Sequence, residues 1–240
     1  MFGGLLLGLL LRQLLPEHHT KDDSKDIMKT AAGMMATLVA LIIGLLVSSA
    51  KSAFDQTSAS ITQGGAKIIT LDHILSRYGP AANGAREQLK DVVASGIERV
   101  WPTDGAHKVD LAAAAKTAGM EDVYDKIREL TPKDESQQYL KSQALQLGAD
   151  LMQSRWMLVE QSQNQLPPVF LGVLTFWLTV LFTAFGMLAP RNLTAISGLS
   201  ICALSMAGAI LLILELNRPL EGAIKASSAP LQKALSFIGK

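Results

Sequence analysis

The stretch from Asn192 to Leu214 carries no charged residue, and it ends abruptly in Glu215-Leu216-Asn217-Arg218-Pro219-Leu220-Glu221-Gly222. At about 1.5 Å per residue such a run is long enough to cross a hydrocarbon core of roughly 30 Å. This single feature makes the chain an integral membrane protein. The other apolar stretches must then be read as neighbours of this one.

Two further runs are long enough to span. Thr30–Ala50 has no charge between Lys29 and Lys51, and the stretch from Leu166 to Pro190 is also uncharged. Pro167-Pro168 opens the latter, and Ala189-Pro190-Arg191-Asn192 predicts a tight turn, so the last two spans form a helical hairpin. Trp177 lies near the middle of its span and is read as packing between helices. Phe2–Leu15 is apolar but short and is interrupted by Arg12. It is read as a shortened or partly inserted membrane helix, with a start lacking upstream residues as the alternative. A cleaved signal peptide fits less well, because no basic segment precedes it and Leu-Pro-Glu-His-His is a poor cleavage site.

Between the spans, residues 51–165 read as a water-soluble insert. No proline occurs between Pro16 and Pro80, so the first span is expected to continue as a helix through Ser52–Tyr78. Phe54, Ile61, Ile68, Leu71 and Leu75 recur at helical spacing, while Ser52–Gln63 is rich in uncharged polar side chains. Gly64-Gly65 is a place where this helix would weaken or bend. Ala82–Trp101 predicts a second helix with Leu89, Val92, Val93, Ile97 and Val100 inward. Shorter helices are expected at Leu111–Ala118 and Glu121–Leu130. A long one is expected from Lys133 to about Asn164, with Thr131 as its N-cap and Leu140, Leu147, Leu151 and Leu158 on one face. No strand-like alternation of useful length occurs. The tail after Gly222 carries Leu231, Leu235 and Ile238 on one face and is read as a short helix lying at the membrane interface.

The expected fold is therefore all-α. Residues 1–50 hold the N-terminal hydrophobic segment and the first full span, and 51–165 the helical insert. Residues 166–218 hold the membrane hairpin, and 219–240 an amphipathic tail.

Two features have a chemical case. Ala32, Ala36, Ala40, Gly44 and Ser48 are spaced four apart and so share one face of the first span. Small residues in line let another helix approach closely, which matters in lipid where packing replaces the hydrophobic drive. The same line could instead face a pore. The second feature is the closing motif: Glu215, Asn217, Arg218, Pro219, Glu221 and Gly222. Arg218 is three residues from either glutamate, a spacing that permits ion pairing at a helix end. Pro219 stops the helix and Gly222 permits a turn. The motif reads as a membrane-surface anchor, or as an interfacial charge cluster handling an ion or lipid head group.

Little else carries chemistry. The chain is 49% hydrophobic and 18% charged with a formal net charge of +1, so no bulk electrostatic argument for nucleic acid exists. Cys202 is the only cysteine, which excludes an intrachain disulfide and a Cys-based metal site. His18 and His19 are adjacent and diverge on a helix, while His73 and His107 are isolated. Asp72-His73 reads as a solvated or packed pair. No catalytic constellation, phosphate-binding loop or metal spacing is found, so neither an enzyme nor a cofactor is expected.

Several short motifs together resemble the bestrophin-like family of bacterial membrane proteins. They are Leu15-Pro16-Glu17-His18-His19, Ser49-Ala50-Lys51-Ser52-Ala53-Phe54-Asp55, Leu71-Asp72-His73, Tyr78-Gly79-Pro80, Trp101-Pro102, Tyr124-Asp125-Lys126-Ile127, Arg155-Trp156, Phe176-Trp177-Leu178-Thr179 and Ala189-Pro190-Arg191-Asn192, with Leu214-Glu215-Leu216-Asn217-Arg218-Pro219 the most specific. The resemblance implies four membrane helices, two on each side of a helical insert; here the first is short. It also implies a loose kinship with oligomeric anion channels. Two functions are carried forward. One is a homo-oligomeric channel or pore for small ions in the bilayer of the cell inner membrane. The other is a non-conducting interaction or signalling protein whose insert binds a partner. Lys51, Lys67, Arg218, Lys225, Lys233 and Lys240 lie near the membrane on the insert side, against Lys21, Lys25, Lys29 and Arg191 on the other. This favours a cytoplasmic insert.

Overall fold

The computed structural model describes residues 1–14, 22–102, 119–163, 167–190 and 192–239. Every regular element among them is helical: α1 (Phe2–Leu14), α2 (Asp22–Tyr78), α3 (Asn83–Val100), α4 (Met120–Glu129), α5 (Glu135–Gln163), α6 (Pro168–Leu188), α7 (Leu193–Leu216) and α8 (Ala229–Phe237), with a 3-10 turn at Pro80–Ala82. The helix expected at Leu111–Ala118 lies outside the described residues. α2, α6 and α7 are each long and apolar enough to cross a membrane, whereas α1 is shorter. The chain is thus an all-α protein with three candidate spans and a short N-terminal apolar helix.

α2 is a single helix of 57 residues. Its length follows from the absence of proline and from one apolar face passing into another without a gap. Gly64-Gly65 does not interrupt it. Gly79, with φ of 109°, ends it in a backbone conformation open to glycine, and Pro80 follows.

The chain divides into two compact units, Met1–Ser52 with Leu166–Asn217, and Ala53–Gln165 with Arg218–Lys240. In the first unit α1 lies along α6. The approach is set by small residues. A Cβ at Gly4 would stand 2.6 Å from the Thr179 carbonyl oxygen, one at Gly8 would collide with the Thr183 carbonyl, and one at Gly186 would stand 2.7 Å from the Leu5 carbonyl. Val39 of α2 packs with Leu174, Leu178 and Phe182 of α6 and Ala203 of α7, and Trp177 packs against this cluster, as its central position suggested. Asn192 caps α7, its Oδ1 accepting from the Ala195 N–H at 3.0 Å.

In the second unit Leu71 and Leu75 of α2, Leu89 of α3, Val123 and Ile127 of α4, and Ala144 of α5 form one buried core. Lys141 Nζ donates to the carbonyls of Arg128 and Leu130 at 2.7 Å each, satisfying orphan groups at the end of α4.

Two expectations are corrected here. Thr131 does not cap α5. Asp134 does, its Oδ1 accepting from the Gln137 N–H at 2.7 Å while Gln137 Oε1 accepts from the Lys133 N–H at 2.9 Å. An Asp with a Gln three residues on supplies a reciprocal cap, and Thr131-Pro132 precedes it as connector. The apolar stripe of the C-terminal helix α8, expected to face the membrane interface, faces the protein core. Ala234 and Ile238 are buried in the core of the second unit, with Leu231 and Leu235 packed against it. Its apolar stripe serves protein rather than lipid, because Gly65 lets the backbone at Pro230 come close: a Cβ there would stand 2.8 Å from the Pro230 carbonyl oxygen.

Candidate functional site

Only the N-terminal end of the small-residue line on α2 packs inside the first unit. Ala32 is buried and Ala36 half-buried, but Ala40, Gly44 and Ser48 are exposed, and a Cβ at Gly44 would meet nothing within 4 Å. The side of α2 that packs follows Ala32, Met35, Val39, Ile42, Ile43 and Leu46 instead. Further along α2, Gln56, Ala59, Thr62 and Gln63 are exposed while Thr57 is buried with its hydroxyl donating to the Ala53 carbonyl.

The closing motif is ordered by its backbone. The Arg218 carbonyl accepts from the Glu221 and Gly222 N–H groups at 3.2 and 3.3 Å, and the Pro219 carbonyl accepts from the Ala226 N–H at 2.7 Å. Two backbone turns therefore follow directly after Asn217. Asn217 is half-buried at the α7 C-cap, its N–H donating to the Ile213 carbonyl at 3.1 Å. Glu215 and Pro219 are half-buried, and Glu221 and Arg218 exposed. Among the described residues Arg218 makes no ion pair with Glu221. Leu220, inside the motif, is the anchoring side chain, packed with Ile61, Ala226 and Trp101. The Trp101 indole N–H donates to the Ala226 carbonyl at 2.9 Å. The sequence signal for this contact was the Trp101-Pro102 pair, whose partner 125 residues away no local spacing reveals.

Beside this anchor, a cavity of about 200 Å³ lies within the second unit. Its walls come from α2, α3 and α5 with Trp101, Met120, Leu220 and Leu231, and they are mostly apolar, with Ser60, Ser154 and Arg155 among them. Lys67 Nζ donates to Ser154 Oγ at 3.1 Å. The Arg155 guanidinium is pushed below its ordinary pKa, first by burial; the Glu121 charge opposes this and the Arg99 charge adds to it. None of these groups was singled out from the sequence as a site. Their helical spacing marks only a core face, and a cavity is a gap in packing that periodicity does not show.

Asp72 is not paired with its neighbour His73, which is exposed. Its carboxylate accepts two hydrogen bonds from Arg86. Those bonds hold the Arg86 guanidinium above its ordinary pKa, with burial opposing and the Asp72 charge assisting. His18, His19 and His107 lie outside the described residues. Among the described residues no group of His, Cys, Asp and Glu could hold a metal ion.

Three apolar spans, a core-bearing helical unit and a turn-locked exit from the last span define the class: a helical membrane protein with a packed extramembrane unit. The chain belongs to the bestrophin-like family, whose domain matches residues 2–231. Two crystal structures of a bacterial bestrophin homologue from Klebsiella pneumoniae, each with one point mutation, share its fold. Their TM-scores are 0.69 and 0.64, at 14% identity over 99% of this chain and 97% of that one. No curated protein matches the chain in sequence.

Proposed function

We propose that this chain is the subunit of a homo-oligomeric membrane channel for small ions. One observation carries the reading. Ala40, Gly44 and Ser48 of α2 are exposed, and the same helix goes on to expose Gln56, Thr62 and Gln63. Small side chains turned out of the protomer leave room for a neighbouring subunit or an aqueous path. Hydroxyl and amide groups can replace part of an ion's hydration without trapping it as a fixed charge would. Membership of the bestrophin-like family supports the reading, because bestrophins are oligomeric anion channels.

Three or four helices do not enclose a path, so a ring of subunits is required. The mass of the detergent-solubilised complex tests this directly: a ring supports the channel, and a strict monomer or dimer overturns it. In liposomes, Gly44→Leu should change ion flux, since a Cβ there meets nothing within 4 Å in the chain itself. A ring that passes no ion under any gradient would favour the interaction or signalling reading. The closing motif is read as the device that fixes where α7 leaves the bilayer. The excess of lysine and arginine on the insert side supports a cytoplasmic insert in an inner membrane. A reporter fused after Lys240 that is active only outside the cytoplasm would reverse that orientation.

A further inference from the structure

We propose that the exposed face of α5 docks on the exposed face of α2 in a second copy of the chain. The proposal deepens the homo-oligomeric reading above and rests on it. What carries it is how charge is divided over the surface of the second unit. On α3 every exposed residue between Arg86 and Val100 is charged: Glu87, Lys90, Asp91, Glu98 and Arg99. On α4 every exposed residue is charged: Glu121, Asp122, Asp125, Lys126, Arg128 and Glu129. On α5 every exposed residue between Glu135 and Glu160 is uncharged, and on α2 the same holds between Asp55 and His73. Charge depletion on a face that also carries Tyr139, Trp156 and Met157 is the composition of a surface that leaves water on assembly.

The two uncharged faces complement each other. Ser142, Gln146, Ala149, Gln153 and Trp156 recur at steps of four and three, so they form one seam on α5. On α2, Ala59, Ala66 and Thr70 fall at steps of seven and four and share a side in the same way. The α5 face is bulky: Tyr139, Trp156 and Met157 are 63%, 50% and 52% exposed. The Tyr139 hydroxyl accepts from Gln143 Nε2 at 2.8 Å, which holds the ring in place before contact. The α2 side is small and leaves room for that bulk. At about 1.5 Å per residue the two stretches run for about 21 and 16 Å, enough for roughly three turns of contact. Within one chain these faces do not meet. There α2 and α5 turn their other sides to a shared core holding Ile68, Leu71, Ala144 and Leu151, and Lys67 reaches Ser154 across it. Each copy therefore offers two different halves. Joining them is a head-to-tail contact, which repeats from copy to copy and closes a ring where the rotation allows.

The experiment uses the full chain in nanodiscs. Cys202 is exposed, so Cys202→Ala provides the background. Ala66→Cys and Gln153→Cys are introduced singly and together, both at exposed positions, with melting temperatures checked against the parent. Treated with a short bismaleimide, the double variant should give a ladder of covalent oligomers on a denaturing gel, while each single variant stays at monomer mass. A ring by native mass in which the double variant gives no ladder, or only a product at monomer mass, overturns this contact and leaves the homo-oligomeric reading standing. A monomeric wild type overturns both. Covalent dimers from Gln153→Cys alone mean that α5 pairs with α5, which overturns the part given to α2. A fluorophore on Gln153→Cys that brominated phospholipid quenches puts the bilayer on this face and overturns the proposal as well. Trp156→Lys reads the strength of the contact: the monomer fraction in detergent should rise roughly tenfold or more. An unchanged fraction overturns the proposal.

Discussion

Asp72 on α2 and Arg86 on α3 face each other through two parallel hydrogen bonds, 2.8 Å from Nε to Oδ1 and 3.0 Å from Nη2 to Oδ2. The Asp72 side chain is 8% exposed and that of Arg86 16%. This planar fork joins two helices at the end of the core that contains Leu71, Leu75 and Leu89. Removing one partner strands the other in a low-dielectric site. Asp72→Ala should cost about 3 kcal/mol, the low end of the range for buried pairs because Arg86 keeps some water. For a chain of this size that lowers Tm by roughly 6–12 °C in detergent. Asp72→Leu with Arg86→Leu should recover a large part of the loss. An unchanged melting temperature in the single variant would mean that the fork contributes nothing.

The same pair makes a pH prediction. Arg86 has a raised pKa, so its stabilising contribution is fully present below its unfolded value and is lost only as pH rises above it. Both values lie in the strongly alkaline range. The melting-temperature difference between wild type and Arg86→Leu should therefore stay flat from about pH 6 to pH 9. A difference that shrinks across this window would show that another group titrates with the pair.

Neighbouring glycines on α2 should respond oppositely. Gly64→Ala places a Cβ in open space and adds helix propensity, a gain of roughly 0.5–1 kcal/mol. Gly65→Ala gains the same propensity but drives a Cβ to 2.8 Å from the Pro230 carbonyl, a backbone atom that must move. Overpacking of this kind costs roughly 1–3 kcal/mol, so the net effect is destabilising. Thermal melts of the two variants side by side check the difference in sign.

The seating of α1 on α6 is open to a similar comparison. Gly3→Val meets nothing, whereas Gly8→Val meets the backbone of Thr183 and Gly186. Protease should cut the connector after α1 faster in Gly8→Val than in Gly3→Val. Equal rates would mean that α1 tolerates displacement from α6.

Asp134→Ala should cost about 1 kcal/mol, and Asp134→Asn almost none, because the cap needs only an acceptor for the Gln137 N–H. The readout is again the melting temperature.

The long course of α2 was legible because a proline-free stretch with helical spacing leaves the chain one regular option. The separate helices α6 and α7 were legible because Pro190 lies between two uncharged runs, each long enough to span. The packing of α8 was not, since Leu231, Leu235 and Ile238 form the same stripe whether lipid or protein covers it. Gly4 and Gly8 lie four apart, the spacing that permits close helix approach, yet the short run around them draws attention to its length rather than to its glycines. Asp72 and Arg86 are 14 residues apart on different helices, beyond any spacing rule for one helix. The small-residue line from Ala32 to Ser48 was legible as a line. That Ala40, Gly44 and Ser48 would be exposed was not, because spacing alone does not say which face of a helix packs.

The two units are interleaved along the chain. The first takes residues on both sides of the insert, and the second takes Arg218–Lys240 after the last span. During synthesis neither can be finished in order. The insert is made before α6 and α7, but its core lacks Ala234 and Ile238 until residues 218–240 follow. Until then Leu71 and Leu89 sit beside an unfilled place, and a nascent chain arrested after α7 would offer that apolar opening to chaperones and proteases. Completion of the second unit thus reports that α6 and α7 have already been made.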